Sequence, residues 1–267
     1  MKKYRLLVTI IIAMGIIFIG TSDPVKNFYK TTGFINKEIN QDKDKKQDNG
    51  KLKGDNKAGQ FLICIDPGHQ EKGDSNLEPV APGSSSRKAR VSSGATGVAT
   101  KKPEYILNLE ASVVLKHILE GKGYNVIMTR EKHDVNISNS ERAILANEKK
   151  ADMVIRVHAD SLDNASKTGA SILIPQENGN YTASIYKDSN DCAQLVKKNM
   201  QKVGIQVNGI FQRGDLTGFN WSKVPVVLVE MGFMSNYNED QMMSNPDYQR
   251  KLMQSVADGV EEYFMTK

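Results

Sequence analysis

Apolar residues along this chain fall into short runs, and polar, glycine-rich stretches separate them. Phe61, Leu62, Ile63, Cys64 and Ile65 form one such run, closed by Asp66-Pro67-Gly68. That pattern predicts a buried strand followed by a turn. Further strands are predicted at 124–129, 153–157, 169–174 and 224–229. Between them, helical patterning covers 103–120, 140–149, 188–203 and 247–264. Pro103 suits a first helical position, and Gly121 with Gly123 stops that helix. Ser138 or Asn139 caps the next one. Several of the strands are continuous apolar runs, which asks for cover on both faces of a sheet. The expected fold is therefore α/β: a twisted, mostly parallel or mixed sheet flanked by helices, in a single domain over residues 61–267. Residues 71–102 are rich in Gly, Ser and Pro and read as one long loop, too long for a simple connection.

The N-terminus follows a different pattern. Lys2, Lys3 and Arg5 precede an apolar run from Leu6 to Gly20. Residues 1–22 thus read as a signal peptide or an N-terminal membrane anchor. Residues 23–60 carry mixed charge and few apolar side chains, as a flexible polar linker does. The formal net charge is +5, and three of those positive charges lie in the first five residues. The body is then nearly neutral, which gives no footprint for nucleic acid. Cys64, in an apolar run, and Cys192, in a helical pattern, are the two cysteines; they read as unpaired thiols, at least one of them buried, rather than metal ligands.

The chain has four histidines. His69 directly follows the turn after the first strand, and His158 ends the strand 153–157. The C-terminal edge of an α/β sheet is where sites are built. Glu104 stands in the first turn of a helix, and Glu230 ends the most apolar strand, where a lone carboxylate is costly unless paired or metal-bound. Taken singly, Glu104 reads as a helix N-terminus stabiliser and Glu230 as a rim salt bridge. Together, two imidazoles and a carboxylate make a zinc donor set with an open fourth position. His69, Glu104 and His158 are the candidate ligands of one Zn2+, and Glu230 the candidate general base. Residue type and spacing leave open which glutamate takes which role, since no H-E-x-x-H motif is present. His117, in mid-helix, and His133, in a polar turn, read as structural or surface residues.

Six segments, in unbroken order, resemble the zinc-dependent N-acetylmuramoyl-L-alanine amidases of the amidase 3 family. They are Ile63 to His69, Pro103 to Leu109 (a Glu with an Asn one turn later), Gly123 to Arg130, Ser140 to Asn147, Val157 to Asp160, and Pro225 to Asn236. The resemblance implies that His69, Glu104 and His158 bind zinc and that Glu230 is catalytic. It implies hydrolysis of the amide between the muramoyl lactyl group and L-alanine in peptidoglycan, outside the cytoplasmic membrane. Membrane contact would come only through the N-terminal segment. The layout of signal, spacer and bare catalytic domain is compatible with amidases that modify the spore cortex. Arg213-Gly214 also resembles a family feature, and Arg213 could pair with a stem-peptide carboxylate; its bland reading is a surface Arg in a turn. Phe219 and Trp221 either stack on sugar or cap the core.

Some positions depart from the family. Gln70 stands where a Gly often follows the first His, and Asp160 where Asn is common. The stretch between His69 and Glu104 is longer than usual and carries a basic cluster at 87–90. It reads equally as a solvated loop or as a lid that meets substrate or an activating protein partner. Two other functions stay open: a different zinc hydrolase of the wall (peptidase or deacetylase), and a wall-binding scaffold without catalysis.

Overall fold

The computed structural model describes residues 57–267. The expected signal at 1–22 and nearly all of the linker at 23–60 lie outside the described residues. The last four linker positions, Lys57–Gln60, form a 3-10 turn, and Phe61 beyond it stacks on Phe264 with ring centroids 4.4 Å apart.

Eight strands and six helices follow. The strands are β1 Leu62–Pro67, β2 Asp74–Pro79, β3 Arg87–Val91, β4 Asn125–Met128, β5 Met153–Asp160, β6 Ala170–Pro175, β7 Val207–Arg213 and β8 Val226–Phe233. The helices are α1 Glu104–Gly121, α2 Asn139–Glu148, α3 Ala183–Lys202, α4 Thr217–Asn220, α5 Tyr237–Met243 and α6 Pro246–Phe264. The main sheet has the order β4-β1-β5-β8-β6-β7. All neighbours are parallel except β6 and β8, which are antiparallel. The α/β fold with a mixed sheet flanked by helices is thus the one expected.

Strand alternation sorts the sheet into two faces. Ile63, Ile65, Met153, Ile155, Val157, Val227, Val229 and Ile172 share one face and are all buried. The layer of α1, α3 and α6 packs on the sheet, with α6 between the other two helices. Cys64, Val154, Val226 and Leu228 share the opposite face and form a core cluster with Ala146 of α2 and Phe219 of α4. Both cysteines are free, as expected, and both are buried.

Five elements escape the sequence pattern: β2, β3, β7, the single-turn α4 and α5. Residues 71–102 are not one loop, because β2 and β3 pair there as an antiparallel hairpin. Neither strand has an apolar run; the hairpin is held instead by polar docking on α2. Glu78 accepts from Ser140 N and Oγ at the helix N-terminus, and Arg90 pairs with Asp74 and Glu141. β7 was not expected because it is an edge strand with Gly209 inside it and polar residues facing out. α5 is a two-turn helix capped by Asn236, too short to show a period. The cap of α2 is Ser138, in a capping box with Glu141.

Candidate active site

The polar end of one sheet face carries the candidate residues. β1 closes with Asp66 and Pro67, and His69 stands two residues beyond. His158 and Glu230 are register partners on the adjacent strands β5 and β8. Neither ends its strand, contrary to expectation: β5 continues to Asp160 and β8 to Phe233. The strands extend because Met234 N still donates to Asp160 O (2.7 Å). Glu104, the first residue of α1, comes in from the end of the hairpin segment.

His69, Glu104 and His158 converge, with one donor atom from each all lying within 4.8 Å of one another. Glu104 Oε1 is 3.2 Å from His69 Nε2 and 3.4 Å from His158 Nδ1. The His69 Nδ1–H has its own acceptor, Ser92 O at 2.9 Å. In the tautomer that donates to Ser92 O, the His69 Nε2 lone pair faces Glu104, the orientation a metal-ligating histidine takes. Glu104 is itself oriented by three further donors: Asn108 Nδ2 at 3.0 Å, Ala95 N at 2.9 Å and Ala159 N at 3.3 Å. The Asn one helical turn after the Glu therefore aims it. Two imidazoles and one carboxylate, with His69 Nδ1 and Glu104 engaged from outside and the buried His158 Nε2 without a partner among the described residues, fit a zinc ion.

Two glycines make this convergence sterically feasible. A Cβ on Gly68 would stand 2.2 Å from the His158 ring, and one on Gly94 would stand 2.7 Å from Glu104 Oε2. Gly94 also has φ +81°.

The electrostatics divide the two glutamates. Burial pushes the Glu104 carboxyl up, but hydrogen bonds and charge from His158 and His69 outweigh it and hold the group well below the usual range. Glu230 goes the other way. Burial and then the negative charges of Glu104 and Asp160 push it well above the usual range, against the pull of Arg156 and Arg213. Its Oε2 is sealed without a hydrogen-bond partner among the described residues. Burial lowers His158 to about 4, assisted by the positive charge of His69 and of Arg156, so its ring is neutral at pH 7.

The turn that presents His69 is strained, with His69 at φ +78°. Two guanidiniums hold it by its carbonyls. Arg130 donates to Pro67 O (3.1 Å) and Gly68 O (2.9 Å). Arg142 donates to Pro67 O (2.8 Å) and His69 O (3.0 Å). Arg142 Nη1 also reaches Asp66 Oδ1 at 2.9 Å, and Arg156 Nε reaches Asp66 Oδ2 at 2.7 Å. Gln70, fully buried, accepts from Ile137 N at 3.0 Å and so ties the turn to the chain ahead of α2. Arg130, Arg142, Arg156 and Asp66 were given no role from the sequence. The available signal was Asp66 itself, a carboxylate after a buried strand that had to find a cation.

Arg213 lies at the end of β7 and grips Asp215 with two bonds, Nε–Oδ1 at 2.7 Å and Nη2–Oδ2 at 2.8 Å. Lys88 of the hairpin donates to Asp215 O at 2.7 Å. Phe219 is fully buried, and Trp221 Nε1 donates to Pro79 O at 2.9 Å, so both serve packing rather than an open face. His117 is half-buried beside Glu120 at 3.6 Å, and His133 meets the Tyr105 ring edge-on at 5.3 Å. Neither joins the cluster.

The family model for N-acetylmuramoyl-L-alanine amidases matches residues 63–262. Among curated proteins, the probable cell wall amidase LytH of Staphylococcus epidermidis is 25% identical over 205 residues, covering 76% of this chain and 58% of that protein. The chain thus spans little more than half the length of LytH. N-acetylmuramoyl-L-alanine amidase Rv3717 of Mycobacterium tuberculosis is 25% identical over 219 residues, covering 78% of this chain and 88% of that protein. Among solved structures, the amidase Ami1 of Mycobacterium smegmatis superposes with a TM-score of 0.71 at 22% identity, covering 79% of this chain and 99% of that one. This last likeness speaks to the fold alone.

Proposed function

The chain belongs to the N-acetylmuramoyl-L-alanine amidase family, and on that premise we propose that it hydrolyses the amide between the N-acetylmuramoyl lactyl group and L-alanine in peptidoglycan. The observation that carries this reading is the pairing of His158 with Glu230 across β5 and β8, beside the convergence of His69, Glu104 and His158. His69, Glu104 and His158 would hold one Zn2+. When bound, that ion supplies a Lewis acid for the scissile carbonyl and acidifies water.

The residues of the chain do the rest. Glu230 takes the proton of the attacking water and delivers it to the departing alanine amine. Burial, Glu104 and Asp160 raise its carboxyl well above the usual carboxylate range, in the direction a proton carrier needs. Glu104, held ionised, offers a full negative charge to the cation. Ser92 fixes the tautomer of His69, and Asn108 fixes the direction of Glu104. Arg213, close enough for its charge to act on Glu230, is the candidate partner for a stem-peptide carboxylate.

The site of action in this reading is outside the cytoplasmic membrane, with the N-terminal segment as export signal or anchor. Spore cortex is the finer assignment of the substrate, and the hairpin segment is the surface an activating protein partner would meet. Incubation with purified peptidoglycan tests the reaction. New free amino groups on L-alanine, abolished by a chelator and restored by zinc, are expected. New reducing ends without alanine amines would point to glycan cleavage, and released acetate to a deacetylase.

A further inference from the structure

The segment that delivers Glu104 has little regular structure of its own. Between Val91, the end of β3, and Glu104, the first residue of α1, its ladder contact is the bridge of Thr96 with Pro103. Two bonds to the metal-ligand cluster nonetheless start from it: Ser92 O accepts from His69 Nδ1, and Ala95 N donates to Glu104 Oε2. A ligand must be held to within about 0.5 Å, and an irregular strap does that only if something outside the site fixes it.

A fixing point is Asp240, in α5 and fully buried. Its Oδ2 accepts from Ala99 N and from Thr100 N, each at 2.7 Å, and its Oδ1 accepts from Thr100 Oγ1 at 2.8 Å. The strap turns around this carboxylate: Gly97 N donates to Lys102 O at 3.0 Å, and Lys101 N to Gly97 O at 3.2 Å. A Cβ on Gly97 would stand 2.1 Å from Asp240 Oδ1, so the turn closes only over a glycine. α5 is itself pinned to the strand that carries Glu230. Glu239, the preceding residue, accepts from Phe233 N at 2.7 Å and from Gly169 N at 2.6 Å. Val98 N of the strap donates to Met234 O at 3.0 Å. One short helix thus holds the end of β8 with one carboxylate and the strap with the next.

We propose that Asp240 is a positioning residue of the metal centre: through residues 97–103 it sets where Glu104 stands relative to His69, His158 and the strand of Glu230. The proposal rests on the amidase reading, in which Glu104 holds zinc. From Thr100 the chain enters α1 over Pro103, whose φ of −62° is fixed by its ring. A shift of the turn on Asp240 is therefore passed to the first residue of the helix. Binding at the two ends of one short strap is coupled in both directions, so zinc at Glu104 and the bonds at Asp240 stabilise each other.

The test uses the full chain and reads zinc affinity by competition with a chromophoric chelator. Asp240→Ala should weaken zinc about tenfold, the lower end of the range for groups that orient metal ligands, and Asp240→Asn should recover part of the loss. In a Glu104→Ala background, where the strap has no ligand to place, Asp240→Ala should add nothing. Thr100→Val removes one donor and keeps the carboxylate, and it carries the same comparison if Asp240→Ala does not fold. Amide exchange at Ala99 and Thr100 should slow when zinc is added to the wild type, and not in Glu104→Ala. Equal losses in both backgrounds, or exchange in the wild type that ignores zinc, overturn the proposal and leave Asp240 a residue of the fold. So does an Asp240→Ala protein that binds zinc normally while Glu104→Ala does not, and that result leaves the amidase reading standing. Normal zinc affinity in Glu104→Ala itself removes Glu104 from the ligands, and the proposal falls with that assignment.

Discussion

The two faces of the central sheet are made by alternate residues of the same strands, yet they carry different chemistry. On one face Ile63, Ile65, Ile155, Val157, Val227 and Val229 are buried from end to end. On the other, Cys64, Val154 and Val226 begin in the same manner, and then Asp66, Arg156, His158 and Glu230 take the following rows. The apolar face stabilises by area, about 1.5–3 kcal/mol per fully buried aliphatic side chain. The ionic end does not stabilise efficiently, since desolvating a buried charge offsets most of its attraction. What the ionic end provides is position: Asp66 anchors Arg142, and Arg142 with Arg130 holds the strained turn that carries His69. A stable layer and an organising layer are thus separated by one residue of strand.

That comparison can be broken in four ways, from the largest expected effect to the smallest. Glu230→Gln should leave fold and metal content intact and reduce turnover by about 10²–10⁴-fold, because the amide cannot carry the proton. Metal analysis beside steady-state rates checks this, and loss of metal would make Glu230 a ligand. Arg142→Gln should cost about 3–5 kcal/mol, because it leaves Asp66 short of a cation in the interior. It should also weaken zinc affinity at temperatures where the fold persists, read by competition with a chromophoric chelator. Ile155→Ala on the apolar face should cost about 2–5 kcal/mol in denaturant melts. In contrast to Arg142→Gln, zinc affinity should be unchanged, and a change would mean that the two faces are not independent.

The smallest effect concerns acid. Burial pushes the Asp66 carboxyl up, but Arg142, Arg156 and Thr129 outweigh it and hold the group well below the usual range. A carboxyl depressed in the folded state stabilises above its unfolded pKa, about 3.9, and that contribution fades as pH falls toward the folded value. Melts between pH 6 and pH 3 should show stability falling in the acid range, with a shallower fall in Asp66→Asn. Equal slopes would remove Asp66 from the acid response.

Much of this was legible in the chain. The apolar runs at 61–65, 153–157 and 224–229 became β1, β5 and β8, the strands that deliver His69, His158 and Glu230. The helix opening at Pro103 places Glu104 in its first turn, and the box of Ser138 and Glu141 starts α2. The hairpin of β2 and β3 was not legible. Its strands Asp74–Pro79 and Arg87–Val91 are mostly polar, and what orders them is Glu78 on Ser140 and Arg90 on Glu141. Those partners lie 62 and 51 residues away in sequence. β7 was hidden for a similar reason: an edge strand needs no apolar face of its own.

By itself the sequence determined which residues could be buried and in what local geometry, because hydrophobic period and capping chemistry act over a few neighbouring residues. It also placed His69, Glu104, His158 and Glu230 near element ends. Only the tertiary structure decided that these four meet. The pairing of β5 with β8 sets His158 beside Glu230, and the return of residues 92–104 brings Ser92 to His69 and Ala95 to Glu104. The contrast between a carboxyl held ionised at Glu104 and one pushed up at Glu230 likewise has no local cause. It follows from which charges share the buried space: two imidazoles beside the first, two carboxylates near the second. Electrostatics in a desolvated site depends on distance through space, which the order of residues along the chain does not contain.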